Sequence, residues 1–274
     1  MYSLAVDGMA DPGALLTPVP ATWPVLHVLQ DRPDDRRRPA EQAAGVMRID
    51  PDDAEVWLDD EARIELTRAS TAVRLRTAAP LGDDALAHPY LGLPAAVVNH
   101  WLGRQVLHGA GFVHGGGAYG LLGTKEAGKS STAASMLGSG VPIASDDLLV
   151  LEGTTLFSGP RCVDLRPEAG ARMGGEDLGV VGGRSRWRLR TEVGGASHDL
   201  RGFVHLAWGD RIDVERLSPT ERLVALFEHV VFRAEGPDPA AYLELAALPA
   251  WRFVRPHAID AIDAAVAQLL DALV

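Results

Sequence analysis

The sequence predicts an α/β fold: a large α/β domain over residues 93–274, preceded by a smaller β-rich region over residues 1–92. Three observations lead there. Short alternating apolar runs crowd the first ninety residues. An apolar strand pattern at 118–122 runs straight into a glycine-rich segment, a helix pattern and two more strand patterns. Amphipathic helical spacing then recurs at 219–232 and 257–273.

In the first region, Trp23–Leu29, Ala54–Leu58, Ile64–Leu66 and Val73–Leu75 read as strands. Between them, Asp31–Arg38 is charged and contains proline, with nothing to bury, and is expected to be an exposed, mobile loop. Leu93–Gln105 reads as a helix. Val106–Val113 and Ala118–Leu122 read as strands joined by a turn at Gly115-Gly116-Gly117. Ser130–Leu137 reads as a helix, Val141–Ala144 and Leu148–Leu151 as strands, and Gly174–Gly183 as a flexible glycine-rich segment.

Bulk properties narrow the class. A chain of 274 residues with 47% apolar residues can bury a substantial core. The net charge of -11 disfavours nucleic acid as a partner, since a phosphate backbone needs a basic face. One cysteine, Cys162, cannot form an internal disulfide, and a reducing compartment follows as the expectation. Neither a signal peptide nor an apolar run of membrane-spanning length is read, so the expectation is a cytoplasmic protein with no membrane partner. Oligomeric state is not fixed, and a homo-oligomer is compatible with the sequence. Positive charge rests almost wholly on arginine; Lys125 and Lys129 are the only lysines.

Those two lysines fall in Gly123-Thr124-Lys125-Glu126-Ala127-Gly128-Lys129-Ser130, which matches G-x-x-x-x-G-K-[ST], the phosphate-binding loop or Walker A motif. Each fixed position has a chemical reason. Gly123 and Gly128 let the backbone turn and bring N–H groups against phosphate oxygens. The helix that follows, with Ser131 in its first turn, presents its positive end to the same anion. Lys129 supplies a compact charge to the β- and γ-phosphates, and the Ser130 hydroxyl suits Mg²⁺. ATP and Mg²⁺ are therefore the expected cofactors. Thr124, Lys125, Glu126 and Ala127 complete the cradle, and Lys125 is equally well read as a solvated loop residue.

Sixteen residues after Ser130, where the next strand should end, stand Asp146 and Asp147. Adjacent carboxylates on an extended chain project to different sides and suit separate duties, one toward metal and one as proton acceptor. A turn or helix cap is the alternative for Ser-Asp-Asp.

The order Val106-Leu107-His108-Gly109-Ala110, then Gly123–Ser130, then Ala144-Ser145-Asp146-Asp147 resembles the catalytic domain of the HPr kinase/phosphorylase family. Gly159-Pro160-Arg161-Cys162-Val163-Asp164-Leu165-Arg166 looks like a degenerate form of that family's Glu-Ile-Arg signature. The resemblance covers roughly residues 100–170. It implies a P-loop kinase domain of the HPr kinase/PEP-carboxykinase-like type. By resemblance Asp146 would be the proton acceptor, and Ser130, Asp147 and Asp164 would serve the metal, Asp164 from its outer shell. His108 would lie near the γ-phosphate. Asp stands at 164 where the family carries Glu, and the stretch after 170 lacks the family's next signature. The implied activity is transfer of the γ-phosphate to a hydroxyl, a serine of a peptide or protein acceptor, with Lys129 and His108 as further catalytic residues. Shorter relatives of this kind resemble kinases of peptide natural-product pathways.

Other readings stay open. A nucleotide-gated binding protein or slow ATPase would use the same loop, with 174–183 as a switch. A small-molecule kinase related to PEP carboxykinase would want a second metal site rich in His and Lys. Arg184, Arg186, Arg188 and Arg190 alternate along a strand pattern on one face, either clamping phosphate or an acidic substrate or pairing with acids in solvent. Cys162 and the tryptophans at 101, 187, 208 and 251 read as packing residues.

Overall fold

The computed structural model describes residues 1–41, 45, 47–59, 62–192, 194–233 and 238–273. It is a mixed α/β structure with three sheets. The first sheet comprises β1 (Ala5–Asp7), β2 (Val25–Asp31), β3 (Met47–Ile49), β4 (Asp53–Trp57), β5 (Arg63–Thr67) and β6 (Ala72–Arg76), in the order β1-β2-β6-β5-β4-β3. Period-two alternation orients it: Leu26, Val28, Ile64, Leu66, Val73 and Leu75 all enter one core. Three residues of α1 (Asp83–Ala85) and a turn containing His88 lead into α2 (Gly92–Trp101), whose Ala95, Val97 and Val98 close that core.

The second sheet holds the motif. Its strands are β7 (Gln105–His114), β8 (Gly117–Leu122), β9 (Ile143–Ser145), β10 (Leu148–Glu152), β11 (Thr155–Phe157), β15 (Ser197–Trp208), β16 (Asp213–Arg216) and β17 (Ala250–Arg255). Helix α3 (Lys129–Gly138) connects β8 to β9. Strand β9 pairs with β7, which itself runs antiparallel to β8, so β9 parallels β8 with one strand between them. That topology brings the residues after β9 and those after β8 to the same end of the sheet, the carboxyl end of both strands. Strand β11 pairs with both β10 and the start of β15, closing the circuit β11-β10-β7-β8-β15. Leu107, Leu122, Leu149, Leu151, Leu156 and Phe203 fill one core cluster of this sheet.

A third, three-stranded sheet joins β12 (Cys162–Leu165), β13 (Glu176–Val181) and β14 (Arg184–Arg190), with α4 (Pro167–Met173) between β12 and β13. Helices α5 (Pro219–Phe227) and α6 (Pro239–Ala247) pack on each other, and α7 (Ile262–Ala272) lies against α3. Among the described residues no helix is long and apolar enough to cross a membrane.

Several elements differ from the sequence expectation. The segment 174–183 is not an irregular loop: β13 and β14 form a hairpin turning at Gly182 and Gly183, both at positive φ. Asp31–Arg38 is not a run of unpartnered charge, because Asp34 pairs with the fully buried Arg63 and Arg36 reaches Glu55 and Glu65. Helix α2 ends at Trp101, four residues before the predicted end, and Gln105 already belongs to β7. The helix predicted over 219–232 stops at Phe227, and α7 starts at Ile262 rather than His257. Trp208 is 42% exposed rather than core, with the Arg255 guanidinium stacked 4.1 Å from its ring.

Candidate active site

Strand β8 delivers the chain at Gly123 into a space that admits no side chain: a Cβ there would lie 2.9 Å from Ala127 Cβ and 3.1 Å from Leu206 Cβ. At Gly128, φ is +79°, and a Cβ would stand 2.5 Å from Arg255 Nη2. Both fixed glycines of the motif are thus required by this backbone. Behind the loop, the buried Arg255 donates to the carbonyls of Ala127 (2.7 Å) and Gly128 (3.3 Å) and to Thr132 Oγ1 (3.0 Å). Burial pushes its pKa down to about 10. Helix α3 has no side chain capping its N-terminus, so its first-turn amides remain donors for an external acceptor.

The Lys129 ammonium donates to the carbonyls of Gly123 (2.7 Å) and Thr124 (3.2 Å). Desolvation lowers its pKa, opposed by the nearby charges of Asp147 and Asp146. Lys125 and Glu126 are exposed at the loop's tip, and Glu126 pairs with Arg166 at 3.2 Å. Ser130 Oγ donates to the Asp146 carboxylate, 3.2 Å from Oδ1 and 3.4 Å from Oδ2.

The two adjacent aspartates occupy contrasting environments. Asp146 is buried, receives the Asp164 N–H on Oδ2 (3.2 Å), and its carbonyl accepts the buried Tyr2 hydroxyl (3.1 Å). Burial first, then the charge of Asp147, pushes its carboxyl up to about 7. Asp147 takes φ +69° and keeps 34% of its side chain exposed, with His88 Nε2 at 3.5 Å and Arg184 Nη2 at 3.8 Å. Its carbonyl accepts the Gly109 N–H (3.1 Å), which ties the turn to β7 next to His108. His108 stands at the exposed end of this cleft, its pKa lowered by desolvation and by Lys129.

Asp164 lies deeper. Arg188 grips it from Nε (2.8 Å) and Nη2 (2.9 Å), and Arg186 Nη1 adds a third bond at 3.1 Å. Burial alone would raise its pKa; Arg188, His88 and Arg186 together hold it below the ordinary value. Of the four alternating arginines, the inner two therefore pair with a buried acid, while Arg190 reaches Asp84 and Arg184 approaches Asp147.

His88 was not singled out by the sequence, since it stands far upstream and matches no motif. It is buried between Asp147 and Asp164, its Nε2 making no hydrogen bond among the described residues. His88, Cys162 and Asp164 bring ligand atoms within 4.8 Å of one another. Two guanidinium groups already engage both Asp164 oxygens, and burial raises the Cys162 thiol well above its usual range, so this trio is poorly suited to a cation. The donor set that fits Mg²⁺ is the other one: the Ser130 hydroxyl with the Asp146 carboxylate, hard oxygens beside a free helix N-terminus.

No family model matches the sequence, and no curated protein matches it. Among solved structures it is similar to the HPr(Ser) kinase/phosphatase from Coxiella burnetii, at 11% identity and a TM-score of 0.30, covering 62% of this chain and 98% of that one. A likeness that loose amounts to a distant structural relationship and says nothing of activity.

Proposed function

We propose that the chain binds Mg-ATP at Gly123–Ser131 and transfers the γ-phosphate to the hydroxyl of a peptide or protein acceptor, a serine above all. One observation carries this reading: the Ser130–Asp146 hydrogen bond sits beside a lysine whose ammonium, among the described residues, has only loop carbonyls for hydrogen-bond partners. That combination supports a phosphate and metal site.

The geometry favours exchanging the roles that the resemblance implied for the two aspartates. Asp146, buried and bonded to the metal-seeking hydroxyl, suits the metal, whereas Asp147, open to the cleft, suits the acceptor proton. Mg²⁺ would neutralise charge on the phosphates when held at Ser130 and Asp146. Lys129 turns from the loop carbonyls to the β- and γ-phosphate oxygens, and the first-turn amides of α3 hold the phosphate chain in line. The acceptor oxygen bonds to the γ-phosphorus as the bond from that phosphorus to the β–γ bridging oxygen breaks. ADP departs, and the hydroxyl proton passes to Asp147. His108 stands where it can orient the transferring phosphate. Asp164 acts at a distance, fixing Arg186 and Arg188 and, through its N–H, Asp146.

The test is incubation with γ-labelled ATP, Mg²⁺ and serine peptides. Label moving to a peptide hydroxyl, and lost in Lys129→Ala, is the expected result. Release of labelled inorganic phosphate alone, whatever peptide is supplied, contradicts transfer and favours the slow ATPase.

A further inference from the structure

A cavity of about 370 Å³ opens at Gly123 and Thr124, the two residues whose carbonyls hold the Lys129 ammonium. Lysine of this motif serves the β- and γ-phosphates, so the cavity adjoins the terminal phosphate rather than the nucleoside end. Its inner wall carries His205 and His229, each more than nine-tenths buried, with rings 5.9 Å apart. Neither imidazole has a hydrogen-bond partner among the described residues, although His229 lies close enough to Lys129 and His108 to feel their charge. Their ring nitrogens are not sealed from solvent but open to the cavity, where a ligand can bond them. Burial holds both rings neutral at pH 7, with pKa values of about 3 and about 4, so each offers one donor and one acceptor.

The rest of the cavity is lined by α5 and the residues flanking it, by Leu206 and Ala207 of β15, and by Arg252 of β17, which pairs with Glu221. Leu217 and Val224 form an apolar side, and Val224 is 60% exposed although it lines the opening. One turn on, Phe227 is also exposed on the same face of the helix. At the rim, Glu228 carries a carboxylate with no ion pair among the described residues. A nucleobase would find few reasons to lie here, on the γ-phosphate side and beside the Glu228 carboxylate.

Building on the phosphotransfer reading above, we infer that this cavity is the acceptor site. It takes a peptide whose hydroxyl residue meets the γ-phosphate beside Thr124, whose neighbouring apolar side chain packs on Leu217 and Val224, and whose basic residue faces Glu228. His205 and His229 hydrogen-bond the peptide and position it. The bond formed is from the peptide hydroxyl oxygen to the γ-phosphorus, the bond broken frees ADP, and the proton leaves to Asp147.

The experiment presents an oriented library of peptides, each with one central serine and randomised flanks, to the full chain with γ-labelled Mg-ATP. Selection for a large apolar residue at a fixed distance from the serine, and for Arg or Lys at another, is expected. Val224→Arg should reduce the apolar preference by roughly fivefold or more, and Glu228→Arg should reverse the basic one. Both substitutions are on the surface, and calorimetric Mg-ATP affinity should stay at the wild-type value. Unchanged preferences in both variants overturn the assignment while leaving kinase activity standing. A parallel loss of Mg-ATP affinity overturns it in favour of a nucleoside pocket. No labelling of any peptide by a protein that binds Mg-ATP overturns the transfer reading and this assignment together.

Discussion

Ser130 and Asp146 are joined by a hydrogen bond of 3.2 Å that links the first turn of α3 to the end of β9. The link exists because β9 returns parallel to β8 with β7 between them, so two residues sixteen apart in sequence meet beyond the carboxyl ends of the two strands. A hydroxyl and a carboxylate so joined can both turn to one Mg²⁺, and the partner aspartate is left facing the cleft.

Removing either carboxylate should therefore give distinguishable defects. Asp146→Asn is expected to weaken Mg-dependent ATP binding by roughly tenfold or more. Asp147→Asn should bind Mg-ATP nearly as the parent does yet lose transfer by roughly 10²-fold or more. Calorimetry and single-turnover transfer measured on the same preparations separate the two. The reverse pattern would return the base to Asp146, as the family resemblance implied.

A pH effect follows from Asp146. Burial, then the charge of Asp147, raises its carboxyl from 3.8 to about 7, so the folded chain keeps a proton that the unfolded chain releases earlier. The resulting stability is fully present below about pH 4 and is lost as pH rises from there through 7. In the metal-free protein, wild-type stability relative to Asp146→Asn should fall across that window and level off above it. Mg-ATP affinity should move the opposite way, rising by up to about tenfold per pH unit until 7, because the metal needs the ionised form. A flat difference profile in urea unfolding would show that Asp146 is already ionised at pH 5.

Asp164 makes a third case. Its carboxylate compensates the buried guanidinium groups of Arg186 and Arg188, so Asp164→Ala should cost about 3–5 kcal/mol of stability by stranding them. The pair contributes above the ordinary carboxylate range, and its contribution is lost as pH falls through the depressed Asp164 value. Chemical denaturation measures this directly. Undiminished stability with lost Mg²⁺ affinity would make Asp164 a metal ligand instead.

The parts of the site that could be read from sequence are those held by local rules. Gly123 and Gly128 are dictated by backbone conformation and close approach, and Lys129 and Ser130 follow them at fixed spacing. Asp146 was visible because one strand after a loop and helix must end near that loop. What stayed hidden depends on distant partners. His88 reaches the cleft from ahead of α2, with no pattern to mark it. Arg186 and Arg188 were visible as alternating arginines and Asp164 as a residue of the metal's outer shell, but not their pairing across more than twenty residues. Strand β15 escaped notice because it opens with Ser197-His198-Asp199 and serves three neighbours along its length, so no single face is uniformly apolar. The glycines of 174–183 suggested freedom, whereas Gly182 and Gly183 make the turn of an antiparallel hairpin.

The most direct test of the central claim is a calorimetric titration of Mg-ATP into the wild-type protein and into Lys129→Ala. Among the described residues the Lys129 ammonium hydrogen-bonds only loop carbonyls, so its removal should leave the unfolding temperature nearly unchanged. The account predicts one Mg-ATP site in the wild type, weakened by roughly tenfold or more in the variant. Equal affinity in the two proteins, or no binding to either, would contradict it.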